Sequence, residues 1–152
     1  MTAPKIFIAL LGAALLTSCS DRNASPNAAR PQEETGRTEA IKELLAFFEK
    51  RSAKTPSESQ QGSIKYYRNG SSLEVVCEAR FTQNPEKIPT DEEVRNRAFE
   101  FLGTIFTVGE IRRYGSFGIA FTMKAIGPDG VELFKGTVKF AEVLDHFHGH
   151  NF

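Results

Sequence analysis

Apolar residues recur along this chain with two different spacings. Helical spacing, at i, i+3, i+4 and i+7, occurs within residues 37–52 and again within residues 91–107. Alternating spacing occurs in two longer segments, residues 62–82 and 117–144, each divided by a turn sequence. The order α-β-β-α-β-β predicts an α+β fold, a two-layer sandwich of about four antiparallel strands in two hairpins with both helices on one face.

The turn residues predict how the strands pair. A two-residue Asn69-Gly70 turn would place Tyr66 opposite Leu73, with Ile126 facing Val131 in the second hairpin. In both hairpins the apolar residues of the two strands then share one face and the polar residues share the other. We therefore expect one sheet face to pack on the helices and the opposite face to be polar and open.

The second helix has a clear start in the sequence. Thr90 is followed three residues later by Glu93, the spacing of a capping box in which each residue binds the other's backbone N–H. We expect the helix to run to about Thr107 and to stop before Gly109.

The N-terminus has the features of an export signal. Lys5 precedes an apolar run, Ile6–Leu16, that is shorter than the roughly 20 residues a membrane-spanning helix requires. The run ends in Leu16-Thr17-Ser18-Cys19, which resembles the lipobox of bacterial lipoproteins. The alternative is a soluble secreted protein in which a cysteine happens to lie near the cleavage site.

The resemblance to bacterial lipoproteins implies a specific modification. Residues 1–18 would be removed as a signal peptide, and Cys19 would carry a diacylglycerol and a further acyl chain such as palmitate, which together hold a protein stably on a membrane. By the sorting rule of such lipoproteins, Ser20 favours the outer membrane, facing the periplasm, although Asp21 leaves the inner membrane as an alternative.

Composition divides the remaining chain. Residues 19–36 lack apolar periodicity, which predicts a disordered tether from the lipidated cysteine. Residues 37–145 are long enough for a single domain, and residues 146–152 form a histidine-rich tail. Without residues 1–18 the chain has 18 basic and 19 acidic residues. No basic cluster predicts nucleic-acid binding.

The second cysteine lies within an alternating apolar strand. If Cys19 carries lipid, Cys77 has no partner for an intramolecular disulfide. A buried, unreactive thiol is the favoured interpretation, and an exposed redox or nucleophilic thiol is the alternative.

All three histidines lie near the C-terminus, and they are a candidate metal site. In an extended strand His146, His148 and His150 would point to the same side, where imidazoles can bind Zn²⁺ or Cu²⁺. A frayed chain end with exposed histidines would have the same sequence.

These patterns leave three hypotheses for function. The first is a membrane-anchored binding or assembly module whose sheet face or edge contacts an envelope protein or the cell wall. The second is metal binding through the C-terminal histidines. The third is an enzyme, which we do not predict, because the sequence contains no glycine-rich phosphate loop, no HExxH motif and no nucleophile elbow.

Overall fold

The computed structural model of this protein describes residues 29–52 and 62–148. The predicted signal peptide, Cys19 and His150 lie outside these residues. The elements are, in chain order, α1 Ala29–Ser52, β1 Ser63–Arg68, β2 Glu74–Arg80, α2 Asp91–Ile105, α3 Val108–Ser116, β3 Ala120–Ile126, β4 Glu132–Lys139 and α4 Phe140–His148. The predicted α+β class is confirmed, with a four-stranded sheet and four helices in the described part of the chain.

The sheet is mixed, so the prediction that all strands are antiparallel is wrong. The strand order is β1-β2-β3-β4, and each hairpin is antiparallel. The two hairpins meet at β2 and β3, which run parallel. Parallel neighbours require a long crossover connection, and here α2 and α3 supply it.

In the first hairpin the predicted register is displaced by four residues. Tyr66 pairs with Cys77 rather than Leu73, and Arg68 is the last paired residue of β1. The Arg68 guanidinium donates hydrogen bonds to the carbonyls of Ser71 and Ser72, at 2.7 Å each, and so stabilises a longer loop than the predicted two-residue turn. An even displacement keeps every side chain on its predicted face.

In the second hairpin the predicted register is displaced by two residues. Phe121 pairs with Val138 rather than Gly136, and an irregularity follows at the Ala125/Ile126 step. Here too the displacement is even, so the predicted division into an apolar and a polar face is correct.

Helix α1 begins at Ala29, eight residues earlier than predicted. The predicted disordered tether, residues 19–36, is therefore helical from Ala29 onward. Pro31 is tolerated because the first backbone N–H groups of a helix have no intrahelical acceptor.

The helical segment after Thr90 is two helices instead of one. Thr90 and Glu93 form the predicted capping box at the start of α2. The chain is extended at Phe106, and a second capping box between Thr107 and Glu110 then starts α3. The sequence spacing of Thr107 and Glu110 is the same as that of Thr90 and Glu93, so this helix start could have been recognised.

The predicted strand over residues 131–144 ends early. Strand β4 stops at Lys139 and α4 follows directly, with Phe140 and Val143 buried and Leu144 and Phe147 packed against the core. These residues have the i, i+3, i+4, i+7 spacing of a helical stripe. The predicted boundary at residue 145 therefore falls within a helix instead of before a tail.

The core lies between the apolar sheet face and the four helices. Phe48 of α1 is fully buried and stacks on Tyr66 and Phe121, at ring-centroid distances of 4.7 and 5.4 Å. Two glycines allow close packing around it. A Cβ atom on Gly136 would lie 2.7 Å from Val94 of α2, and one on Gly103 would lie 2.3 Å from the ring of Phe147.

Candidate functional site: the polar sheet face

The sheet face opposite the core is a continuous polar surface, which we call the polar sheet face. Paired residues share a side of the sheet, so one row crosses all four strands as Lys65, Glu78, Lys124 and Lys135. The neighbouring rows complete the face. Its polar residues are Lys65, Tyr67, Glu74, Glu78, Arg80, Thr122, Lys124, Lys135, Thr137 and Lys139.

A buried carboxylate, that of Glu78, lies at the centre of this face. The Glu78 side chain is 7% exposed. The hydroxyl of Tyr67 and Nε of Arg80 each donate a hydrogen bond to the Glu78 carboxylate at 2.8 Å, and Nζ of Lys124 lies 3.1 Å from it. Lys124 also lies over the Tyr67 ring, 5.6 Å from its centroid. Three strands are joined through one charged group.

These contacts control the ionisation of Glu78. Burial alone raises the pKa of the carboxyl group, but the hydrogen bonds from Tyr67, Lys124 and Arg80 outweigh burial and hold that pKa at about 2. The pKa of Lys124 is raised by its contacts with Tyr67 and Glu78. Both groups are therefore charged at neutral pH, and the cluster is structural at that pH instead of poised to transfer a proton.

A second cluster lies beside the first. The Thr122 hydroxyl is fully buried and donates a hydrogen bond to Glu74. The hydroxyls of Thr122 and Thr137 are 2.8 Å apart, and the Asn69 side-chain amide donates to Glu74 at 2.6 Å. Burial raises the pKa of Glu74, but the hydrogen bonds from Asn69 and Thr122, together with the charges of Lys135 and Lys124, lower it further than burial raises it.

Both carboxylates of the face thus accept hydrogen bonds from neighbouring side chains. Three lysines of the face have no such contact with a carboxylate. Lys65, Lys135 and Lys139 are exposed, and in the described part of the chain none of them forms an ion pair. What this face presents to solvent is positive charge. Sequence analysis predicted an open polar face but did not identify its charge, because the neutralising contacts of Glu74 and Glu78 depend on strand pairing.

Cys77 lies on the apolar side of β2, the strand that contains Glu74 and Glu78. It is free and buried, and burial raises the pKa of its thiol to about 11, against a smaller lowering by its hydrogen bond with Tyr66. The thiol is therefore protonated at neutral pH. The predicted burial of Cys77 is confirmed, and a thiol with a raised pKa is expected to be unreactive.

The histidines do not have the predicted extended geometry. His146 and His148 belong to α4, where two residues subtend about 200° around the helix axis, so the two side chains diverge. His146 instead stacks on Phe99 of α2 with 4.4 Å between ring centroids. His150 lies outside the described residues, and no group of three metal-ligating residues occurs within them. A zinc or copper site remains a prediction.

A shallow groove of about 290 Å³ lies between α3 and α4. Its walls are mainly apolar, and Arg112 and Ser116 are its polar side chains. It lacks the converging polar groups that fix the orientation of a small ligand. The polar sheet face is therefore the stronger candidate for a binding surface.

None of the described helices is long and apolar enough to cross a membrane.

Comparison of the chain with protein-family models, with curated proteins and with solved structures found no match.

Proposed function

We propose that this protein is a small lipoprotein of the bacterial cell envelope whose domain is a binding or assembly module. Lipid on Cys19 anchors the chain to a membrane, with the outer membrane favoured by Ser20. The domain binds through its polar sheet face. The proposal assigns the protein no catalytic activity.

The observation that carries the binding role is the division of charge on the polar sheet face. Glu74 and Glu78 are satisfied by hydrogen bonds within the face, whereas Lys65, Lys135 and Lys139 are exposed without ion-pair partners in the described chain. Lys135 also lies directly opposite Lys124 on the neighbouring strand, and like charges in this position destabilise a sheet. A partner with negative charge would remove that cost.

The anchor rests on the sequence alone. The positive residue, the apolar run and the four-residue box occur in the order that a lipoprotein signal requires. A chain with two or more acyl groups stays on a membrane, since each buried CH₂ contributes about 0.8 kcal/mol.

Metabolic labelling tests the anchor. In a bacterial host given an alkyne analogue of palmitate, we expect the wild-type protein to become labelled and Cys19→Ser to remain unlabelled. Cys77→Ser is the matched control, because Cys77 is the chain's other cysteine and is buried, and it should be labelled like the wild type. An unlabelled wild type, or a labelled Cys19→Ser protein, would refute the proposal.

A further inference from the structure

The cations of the polar sheet face are more exposed than the carboxylate of Glu78. Lys65, Lys135 and Lys139 are exposed, and the Arg80 side chain is 60% exposed even while it contacts Glu78. Glu78 is 7% exposed beneath these longer side chains. An approaching partner would meet ammonium and guanidinium groups before it met the carboxylate of Glu78.

Positive charge is concentrated on this face. The face has five Lys or Arg residues and two Glu residues, a formal excess of three positive charges. The other described residues of 36–148 contain ten Lys or Arg and thirteen Asp or Glu, an excess of three negative charges. The domain is neutral overall, yet its charge is separated between the polar sheet face and the remainder of the surface.

One cross-strand pair makes this arrangement unfavourable for the isolated domain. Lys124 and Lys135 lie directly opposite each other on β3 and β4. Like charges in this position destabilise a sheet. Lys124 forms an ion pair with Glu78, whereas Lys135 lies on the edge strand, forms no ion pair in the described chain and has only a longer-range electrostatic attraction to Glu74. A negatively charged partner at β4 would give it a closer counter-charge.

The length of the tether limits how far the domain can lie from the membrane that holds a lipid on Cys19. Sixteen residues lie between Cys19 and Gly36, where the compact domain begins. Residues 29–35 are helical, at about 1.5 Å per residue, and the stretch from Cys19 to residue 29 spans at most about 35 Å even when fully extended. A lipid on Cys19 would therefore keep the domain within about 45 Å of the bilayer surface.

We propose that the polar sheet face docks on anionic phospholipid headgroups of the bilayer that holds the Cys19 anchor. This inference rests on the proposed function and names the partner of its binding surface. The exposed lysines of β1 and β4 contact lipid phosphates, and Arg80 contributes at the end of β2. Docking leaves the acidic surface of the domain directed away from the lipid, where repulsion from the headgroups is smallest.

A broad surface suits this site better than a compact ligand does. The cations are distributed over all four strands, from Lys65 on one edge strand to Lys135 and Lys139 on the other. Neighbouring strands are about 4.8 Å apart, so the outer strands are separated by roughly 14 Å. A bilayer presents phosphates across such a distance, and attraction to it requires no specific pocket.

The test uses the mature lipidated protein in vesicles. A Ser71→Cys variant places a single fluorophore on the exposed loop between β1 and β2, at the end of the sheet and away from the lysines of β4, and buried Cys77 is not expected to react. Vesicles consist of phosphatidylcholine, with or without one third phosphatidylglycerol, and contain a headgroup spin label that quenches nearby fluorophores. We expect strong quenching with phosphatidylglycerol, little without it, and reversal at ~1 M salt, where the Debye length is about 3 Å.

Two double variants distinguish the effect of the charges on the polar sheet face from the effect of the protein's net charge. Lys135→Glu with Lys139→Glu should weaken docking on the order of 100-fold, because two charges that attract the anionic surface become two charges that it repels. Arg95→Glu with Arg97→Glu changes the net charge equally, but on the exposed surface of α2, and should keep the quenching. Circular dichroism and thermal unfolding confirm that each variant is folded.

The outcomes distinguish this inference from the anchor. A protein that does not remain on either vesicle lacks the lipid, which refutes the proposed function. A protein that remains on both but shows equal quenching in both refutes docking on anionic lipid. If purified cell wall or an acidic protein changes the fluorescence of the label and phosphatidylglycerol does not, the face binds that partner and the inference is overturned.

Discussion

The carboxylate of Glu78 accepts contacts from side chains on three strands. Tyr67 reaches it from β1, Arg80 from its own strand and Lys124 from β3. A carboxylate that is 7% exposed is costly unless its hydrogen bonds are made, so these residues form a unit. Removing the Lys124 amino group would leave Glu78 with less compensation and would weaken the contact between the two hairpins.

The ionisation of Glu78 predicts a stability loss in acid. Its pKa is about 2 in the folded protein and about 4.5 without these contacts. A lowered folded-state pKa stabilises the protein above the unfolded-state value, and this stabilisation is lost as the pH falls from about 4.5 to about 2. Glu78→Gln should therefore lower the free energy of unfolding by roughly 1–3 kcal/mol at pH 6 and by much less near pH 2.

Urea unfolding of the wild type and Glu78→Gln at both pH values measures this difference. Glu49→Gln changes an exposed carboxylate on α1 and should show little effect at pH 6. A Glu78→Gln destabilisation of equal size at pH 6 and pH 2 would mean that the charge of Glu78 is not what stabilises the face.

Gly136 allows α2 to pack closely on β4. Its missing Cβ would lie 2.7 Å from Cγ1 of Val94 and 2.9 Å from the backbone nitrogen of Arg95. Because backbone atoms cannot move without shifting the helix, Gly136→Ala should lower the free energy of unfolding by about 1–3 kcal/mol. Gly109→Ala is the control, since Gly109 is an exposed position of α3 where a Cβ would meet nothing closer than 4.0 Å, and this change should raise stability by about 0.5–1 kcal/mol.

Chemical denaturation of these two glycine variants measures both changes in the free energy of unfolding, a decrease for Gly136→Ala and an increase for Gly109→Ala. If Gly136→Ala were as stable as the wild type, the close approach of α2 to β4 described here would be incorrect.

At the scale of single residues, sequence reasoning correctly predicted which face each strand residue occupies. Alternation determines the face, and both register errors were even numbers, so Lys65 and Lys124 remained on the polar side. Sequence reasoning did not predict which residues pair. The first register depends on Arg68 binding the loop carbonyls, a contact that has no sequence pattern of its own.

Two helices begin with the same capping arrangement. In each, a threonine hydroxyl accepts from the backbone N–H three residues later, and the glutamate at that position accepts from the threonine N–H. Thr107→Ala should therefore destabilise the domain by about 1 kcal/mol, within the usual range for a lost N-cap. Thr90→Ala should have a similar effect.

Thermal unfolding of both threonine variants measures these costs. Thr104→Ala is the matched control, because Thr104 is an exposed position of α2, its hydroxyl bonds only the carbonyl of Glu100 in the same helix, and alanine favours a helix. Equal stability of Thr104→Ala and Thr107→Ala would contradict the role of the second capping box.

Helix α4 is part of the core although it lies near the end of the chain. Phe140 and Val143 are fully buried, and Phe147 occupies the space left by Gly103. A chain ending at Lys139 should therefore fail to fold, whereas a chain ending at His148 should keep its cooperative transition. Circular dichroism during thermal unfolding distinguishes the two. A folded protein ending at Lys139 would show that α4 is dispensable.

The elements that sequence reasoning missed share a physical cause. Gly109 was expected to end a helix, but it lies in the first turn of α3, where Thr107 and Glu110 provide the start. Phe140 was assigned to a strand because the alternation of β4 leads directly into it. Both errors arise where one element follows another with no polar loop between them.

At the scale of the whole molecule, the long connection between the hairpins determines the topology. A crossover of a dozen or more residues is typical of parallel neighbouring strands, and α2 and α3 form such a connection between β2 and β3. The parallel pair brings Glu78 beside Lys124 and Glu74 close to Thr122. Without that pairing, the sequence could not reveal that the carboxylates of the polar sheet face are satisfied internally.

If Cys19 carries lipid, the separation of charge would give the protein a preferred orientation at the membrane. Its sheet face is positive and the remainder of the domain is negative, although the whole domain is neutral. Net charge alone would therefore predict no attraction to an acidic surface. Attachment at Cys19 is what would bring this asymmetry close to a membrane, so the proposed function depends on the anchor.

Intact mass of the protein purified from its native membrane tests that anchor most directly. We predict a chain that begins at Cys19, without residues 1–18, and carries additional mass equal to a diacylglycerol and an acyl chain. A Cys19→Ser protein should lack this added mass. A wild-type chain that is unmodified, or that still begins at Met1, would contradict the account.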